Sequence, residues 1–125
     1  MNGHGRHLLL ECDDVSAVIL CDPVWIENAL LAAAESAGAH VLYGHCHHFG
    51  EQQGVTGVLL LRESHISIHT WPEYGYAAVD VFMCGHAEPQ RAVDCLVQLF
   101  SPGRSRMRQI LRGPSAPPLS KSQSA

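Results

Sequence analysis

The chain lacks most of the features that would let composition alone assign it to a class. It has no strongly basic balance: 8 Lys and Arg stand against 12 Asp and Glu, for a net charge of −4, and the basic residues are scattered except near the C-terminus. That leaves no electrostatic footprint for nucleic acid or an anionic membrane surface, and neither is expected as a partner. No apolar stretch approaches the roughly 20 residues of a membrane span, and Met1-Asn2-Gly3-His4-Gly5-Arg6 has no apolar signal core, so a soluble, cytoplasmic protein is expected. There is no CxxC pair among Cys12, Cys21, Cys46, Cys84 and Cys95, and an odd number of thiols argues against a disulfide scaffold and for a reducing compartment. Internal repeats are absent as well.

What is present is 46% hydrophobic residues in 125, enough for one core. Arg6 to Cys12 reads as a buried strand. Asp22-Pro23 supplies an N-cap and a favoured first helical residue, and Ile26, Ala29, Leu30, Ala33 and Ala37 then recur at helical spacing up to Gly38, a left-handed cap. Residues 39–43, 55–61, 65–71 and 76–82 are short, rich in Val, Ile and aromatics, and bounded by Gly or Pro, which predicts strands. A second helix is predicted over 88–100, with Ala92, Val93, Leu96, Leu99 and Phe100 on one stripe and Ser101-Pro102-Gly103 stopping it. A last strand is predicted at 107–111. Residues 113–125, GPSAPPLSKSQSA, hold too little apolar surface to order themselves and read as a flexible tail after a single domain over 1–112. The expected fold is α+β: a two-layer sandwich, with a mostly antiparallel sheet and two helices on one face, in the order βαβββαβ.

The most informative segment is Glu63 to Gly85, ESHISIHTWPEYGYAAVDVFMCG. Strand alternation puts His65, Ser67, His69 and Trp71 on one face and Ile66, Ile68 and Thr70 on the other, so that apolar packing on the helices would turn the histidines toward an opening. Alternation alone favours the plainer reading, a solvated strand face, because Ser/His alternation is common on exposed strands. Four residues, His45, Cys46, His47 and His48, cluster as zinc ligands do, but a strand would split them onto two faces and no second cluster completes a tetrahedral set; no metal is expected. Arg104, Arg106, Arg108 and Arg112 alternate as one exposed face of the last strand, not as a phosphate patch.

The Glu63 to Gly85 segment resembles the self-processing segment of the small prokaryotic S-adenosylmethionine decarboxylases, and Gly5-Arg6-His7 and His47-His48-Phe49 extend the likeness more weakly, to about Phe100. The resemblance implies autocatalytic cleavage between Glu63 and Ser64 into fragments 1–63 and 64–125 that stay together. The Ser64 hydroxyl would attack the Glu63 carbonyl, turning an amide into an ester. His69 would then remove the Ser64 α-proton so that the ester breaks by elimination. Thr56 would assist, standing where the family has serine and keeping the hydroxyl. The dehydroalanine left behind rearranges and hydrolyses to a pyruvoyl group, the only cofactor implied, with neither pyridoxal phosphate nor metal.

By the same resemblance the pyruvoyl carbonyl forms a Schiff base with the amine of S-adenosylmethionine and accepts the electrons freed as carbon dioxide leaves. Cys84 would reprotonate the substrate, and an ordinary thiol pKa of about 8.5 suits that work. Glu73 would accept hydrogen bonds from the ribose hydroxyls, and Phe49 would stack on adenine with His69 close by. The product would be the aminopropyl donor for spermidine synthesis, and the assembly a four-layer homodimer of cleaved protomers. Two alternatives stay open on the residues alone: a pyruvoyl-dependent ornithine or arginine decarboxylase of the same fold, and an uncleaved regulatory homologue.

Overall fold

The computed structural model describes residues 4–114. Six strands, Gly5–Asp13 (β1), Val41–His48 (β2), Val55–Leu61 (β3), Ser64–Trp71 (β4), Tyr76–Cys84 (β5) and Arg104–Arg112 (β6), form one sheet in the order β2-β3-β4-β5-β1-β6. Every pairing is antiparallel. The helices are Ala17–Leu20 (α1), Pro23–Ser36 (α2) and Pro89–Phe100 (α3), with a 3-10 turn at Pro72–Tyr74. α2 packs on β2 and β3, α3 on β1 and β5, and the two helices touch each other. This is the expected α+β sandwich. The middle of the chain supplies the four strands predicted for 39–43, 55–61, 65–71 and 76–82, one more than the βαβββαβ order counts.

Local chemistry accounts for the main elements. Asp22 caps α2, its carboxylate accepting from the Val24 and Trp25 N–H groups at 3.1 Å each, and Pro23 fills the first helical position. At the other end Gly38 takes φ +74°, and the Gly38 and Ala39 N–H groups close on the Glu35 and Ala34 carbonyls, a Schellman-type stop. Alternation sends Leu8, Leu10 and Cys12 of β1, Leu59 and Leu61 of β3, Ile66 and Ile68 of β4 and Val79, Val81 and Met83 of β5 into one core with Ile26, Leu30, Leu96 and Phe100 of the helices. Each such side chain contributes on the order of 2 kcal/mol of burial.

Three elements differ from the sequence expectation. α1 was not foreseen: it is a single turn, too short to show a helical period, and it buries only Leu20. β2 begins at Val41 instead of 39 and runs on through His48, because an edge strand needs a partner for its backbone more than apolar side chains, and β3 supplies one as far as His48↔Val55. The last strand likewise extends to Arg104–Arg112 along β1. Of the segment read as a tail, residues beyond 114 lie outside the described residues. No helix among the described residues is long and apolar enough to cross a membrane.

Candidate active site

The face of the sheet turned away from the helices is polar and uncovered. It carries His65, Ser67, His69 and Trp71 of β4 beside Asp80, Phe82 and Cys84 of β5, in the alternation read from the sequence. The sequence-predicted residues fall into two groups on this sheet, at different heights.

The first group gathers where β4 begins and β5 ends. Ser64 opens β4, and its hydroxyl accepts the backbone N–H of Cys84 at 3.1 Å. Glu63, immediately before it, has φ +67°, in the left-handed region that costs a residue with a side chain about 1–2 kcal/mol. Gly5 pairs with Cys84 across β1 and β5, and a Cβ there would lie 2.5 Å from the Phe82 ring and 3.1 Å from Cys84 Sγ. Glycine is therefore required for the thiol and the ring to share that corner.

The second group lies further along β4. Thr56 of β3 pairs with His69, and Thr56 Oγ1 and His69 Nδ1 are 3.1 Å apart. His69 leans on Trp71, which stacks on Tyr76 at 5.3 Å between centroids, and the Tyr76 hydroxyl donates to Glu11. Glu73 sits in the 3-10 turn just after Trp71. Phe49 follows β2, is 62% exposed, and meets the His47 ring edge-on at 4.7 Å; His47 is itself the cross-strand neighbour of Thr56. At the rise of an extended strand, the five residues from Ser64 to His69 span about 17 Å, so a single chain does not bring His69 and Thr56 to Ser64.

Between the groups is a network that sequence reading missed. His7 Nε2 and Asp80 Oδ1 are 3.1 Å apart, and the Ser67 hydroxyl donates to Asp80 Oδ2 at 3.4 Å. Only the β1–β5 register brings His7 beside Asp80's strand, so no local signal announces it. His65 packs against Phe82, and burial, with the neighbouring His7 next, pushes its imidazole below the usual range. Among the other thiols, burial pushes Cys12 and Cys46 up to about 11, which keeps them protonated and unreactive. The His45 to His48 run is divided by β2, with His47 beside Thr56 and His48 beside Val55, and among the described residues no three His, Cys, Asp or Glu side chains converge as a metal set. Arg104 and Arg106 both reach Asp13, at 3.4 and 3.2 Å.

The family model described as S-adenosylmethionine decarboxylase matches residues 6–113. An S-adenosylmethionine decarboxylase proenzyme of Methanococcus maripaludis is 43% identical over 110 residues, covering 87% of this chain and 89% of its own. A proenzyme of the same description from Synechococcus sp. is 47% identical over 109 residues, covering 86% and 84%. The crystal structure of the adenosylmethionine decarboxylase from Aquifex aeolicus superposes with a TM-score of 0.82 at 33% identity, over 97% of this chain and 100% of that one. Fold and likeness together define an enzyme, a decarboxylase of the α+β sandwich class. Within that class, the chain belongs to the S-adenosylmethionine decarboxylase family.

Proposed function

We propose that this chain cuts itself between Glu63 and Ser64 and then decarboxylates S-adenosylmethionine with a pyruvoyl group made from Ser64. The observation that carries the reading is the left-handed Glu63 directly before a serine whose hydroxyl is held by a backbone N–H. Asp14, Gln52 and Ser101 also have positive φ, but Val15, Gln53 and Pro102 follow them, and none of these offers a hydroxyl or thiol. Strain at Glu63 raises the amide toward the ester formed when Ser64 Oγ attacks its carbonyl.

The residues present fit the group: Ser64 lies at a strand end that the cut would free, next to the strand carrying Cys84. Once formed, a pyruvoyl carbonyl supplies the electron sink for loss of carbon dioxide. The protein's own work is then positional. The Cys84 thiol returns a proton to the substrate α-carbon, the Glu73 carboxylate accepts from the ribose hydroxyls, and the Phe49 ring stacks on adenine. No cation other than the substrate's own sulfonium is called for.

The 17 Å or so between Ser64 and His69 along β4 supports a homodimer in which the uncovered sheet faces meet and the partner's His69 and the partner's Thr56 serve Ser64. Leu60 and Trp71 are exposed on that face, at 47% and 38%, apolar surface that a second copy would cover. We assign the product, the aminopropyl donor, to spermidine synthesis, and place the protein in the cytoplasm, where its five free cysteines would stay reduced.

Mass spectrometry of the purified protein, paired with release of labelled carbon dioxide, tests the reading. The expected result is two fragments, 1–63 and 64–125, the second without a free N-terminal amine, and release from S-adenosylmethionine. An active sample consisting of one intact chain would end it, and release from ornithine but not from S-adenosylmethionine would overturn the substrate.

A further inference from the structure

Thr70 is the one buried polar residue among the described residues, and neither self-cleavage nor decarboxylation as set out above uses it. Its hydroxyl donates to the Leu20 carbonyl at 2.6 Å and accepts the Val55 N–H at 2.8 Å. Leu20 ends α1 and Val55 begins β3, so one side chain ties three elements at a single point. The regular ladder between β3 and β4 has its last rung at Thr56↔His69. One step further on, the side chain of Thr70 takes the Val55 N–H that the ladder would have taken. Gly54, just before, lies against the Thr70 carbonyl so closely that no Cβ fits. The chain is thus seated against Thr70 as it enters β3.

Strand alternation gives this seat a consequence. Val55 and Thr70 point into the core, and their sequence neighbours Thr56 and His69 point to the open face, where their side chains meet at 3.1 Å. We infer that Thr70 is a positioning residue: its hydroxyl fixes the start of β3 at the height where Thr56 Oγ1 engages His69 Nδ1. With Nδ1–H donating to Thr56, the Nε2 lone pair is left outward to take a proton. The hold comes from beneath the sheet, because the pair itself stands on the uncovered face. The inference rests on the reading of His69 as the processing base.

The test uses the full chain with Ser64→Ala, which stays uncut, and follows the His69 imidazole by nitrogen NMR across pH. Thr56→Val reports the loss of the partner itself, and Ile66→Val is a core control on the same strand. Thr70→Val is expected to move the His69 titration and tautomer balance in the same direction as Thr56→Val, whereas Thr70→Ser and Ile66→Val leave both unchanged. In the cleavable chain, Thr70→Val is expected to slow fragment formation about tenfold relative to Ile66→Val, with Thr70→Ser at the parent rate. A folded Thr70→Val with native His69 signals would overturn the inference, as would a Thr70→Ser that behaves like Thr70→Val. If Thr70→Val does not fold, Thr70→Cys, whose thiol is a weak donor and acceptor, takes its place with the same expected direction and the same overturning result. If the parent chain does not cleave at all, the self-cleavage reading fails while the NMR comparison still decides the role of Thr70.

Discussion

The Ser64 hydroxyl is held by the backbone of Cys84, not by its thiol: Oγ accepts the Cys84 N–H at 3.1 Å, bridging the first residue of β4 and the last of β5. The two roles of this corner are therefore separable by mutation. Cys84→Ala keeps the N–H and should cleave at close to the parent rate, yet its decarboxylation should fall by about 10²-fold or more, the usual worth of a positioned proton donor. A gel of the fragments and a carbon dioxide assay on the same sample measure both. Loss of cleavage in step with activity would show that the thiol also serves processing.

Ser64 and His69 stand about 17 Å apart along β4, so the proposed processing pair requires a second chain, which a mixed assembly tests. A Ser64→Ala chain and a His69→Ala chain each lack one member of the pair. In the proposed homodimer, combining them would leave one of the two sites with an intact Ser64 facing the partner's intact His69. Fragments derived from the His69→Ala chain should then appear on co-expression at a rate well above that chain alone. Their absence from a verified mixed dimer would rule out the crossed site.

Glu63 adopts φ +67°, which glycine takes without penalty. In the uncut Ser64→Ala background, Glu63→Gly should raise stability by up to about 1 kcal/mol, set by the left-handed cost less the added chain entropy of glycine. In the cleavable chain the same relief should slow cleavage by about fivefold, the rate equivalent of that energy. Denaturant melts and a time course of fragment formation check the two halves. Faster cleavage in Glu63→Gly would mean that the strain plays no part in breaking the bond.

His65 is pushed below the usual range by burial first and by His7 second. A histidine whose folded-state pKa is depressed refuses a proton that the unfolded chain accepts. The unfolded state then binds more protons as the pH falls below about 6.5, and stability drops there; above that value the contribution is fully present. Melting temperature should thus rise from pH 5.5 to 7.5, and His65→Gln should flatten part of that rise. An identical slope in both proteins would refute the assignment.

Local chemistry made a good part of this legible. Asp22-Pro23 and Gly38 bracket α2 by capping rules that need no tertiary partner, and the alternation from His65 to Trp71 announces a strand with one polar face. β2 was partly hidden, since His45 to His48 reads as a cluster of potential ligands until pairing with β3 makes it an edge strand. His7 and Asp80 were invisible as a pair, being 73 residues apart in the chain and joined only through the β1–β5 register.

The amino-acid sequence by itself determined which residues alternate, where α2 and α3 start and stop, and that a serine, histidine and cysteine set lies on two neighbouring strands. Tertiary structure alone decided who meets whom: Ser64 with the Cys84 backbone, Thr56 with His69, and Thr70 with both α1 and β3. The reason is physical. Caps and alternation act within a few residues, whereas register is set by the sum of many backbone hydrogen bonds and core contacts between segments far apart in the chain, and a slip of one residue would have turned every one of these side chains to the other face.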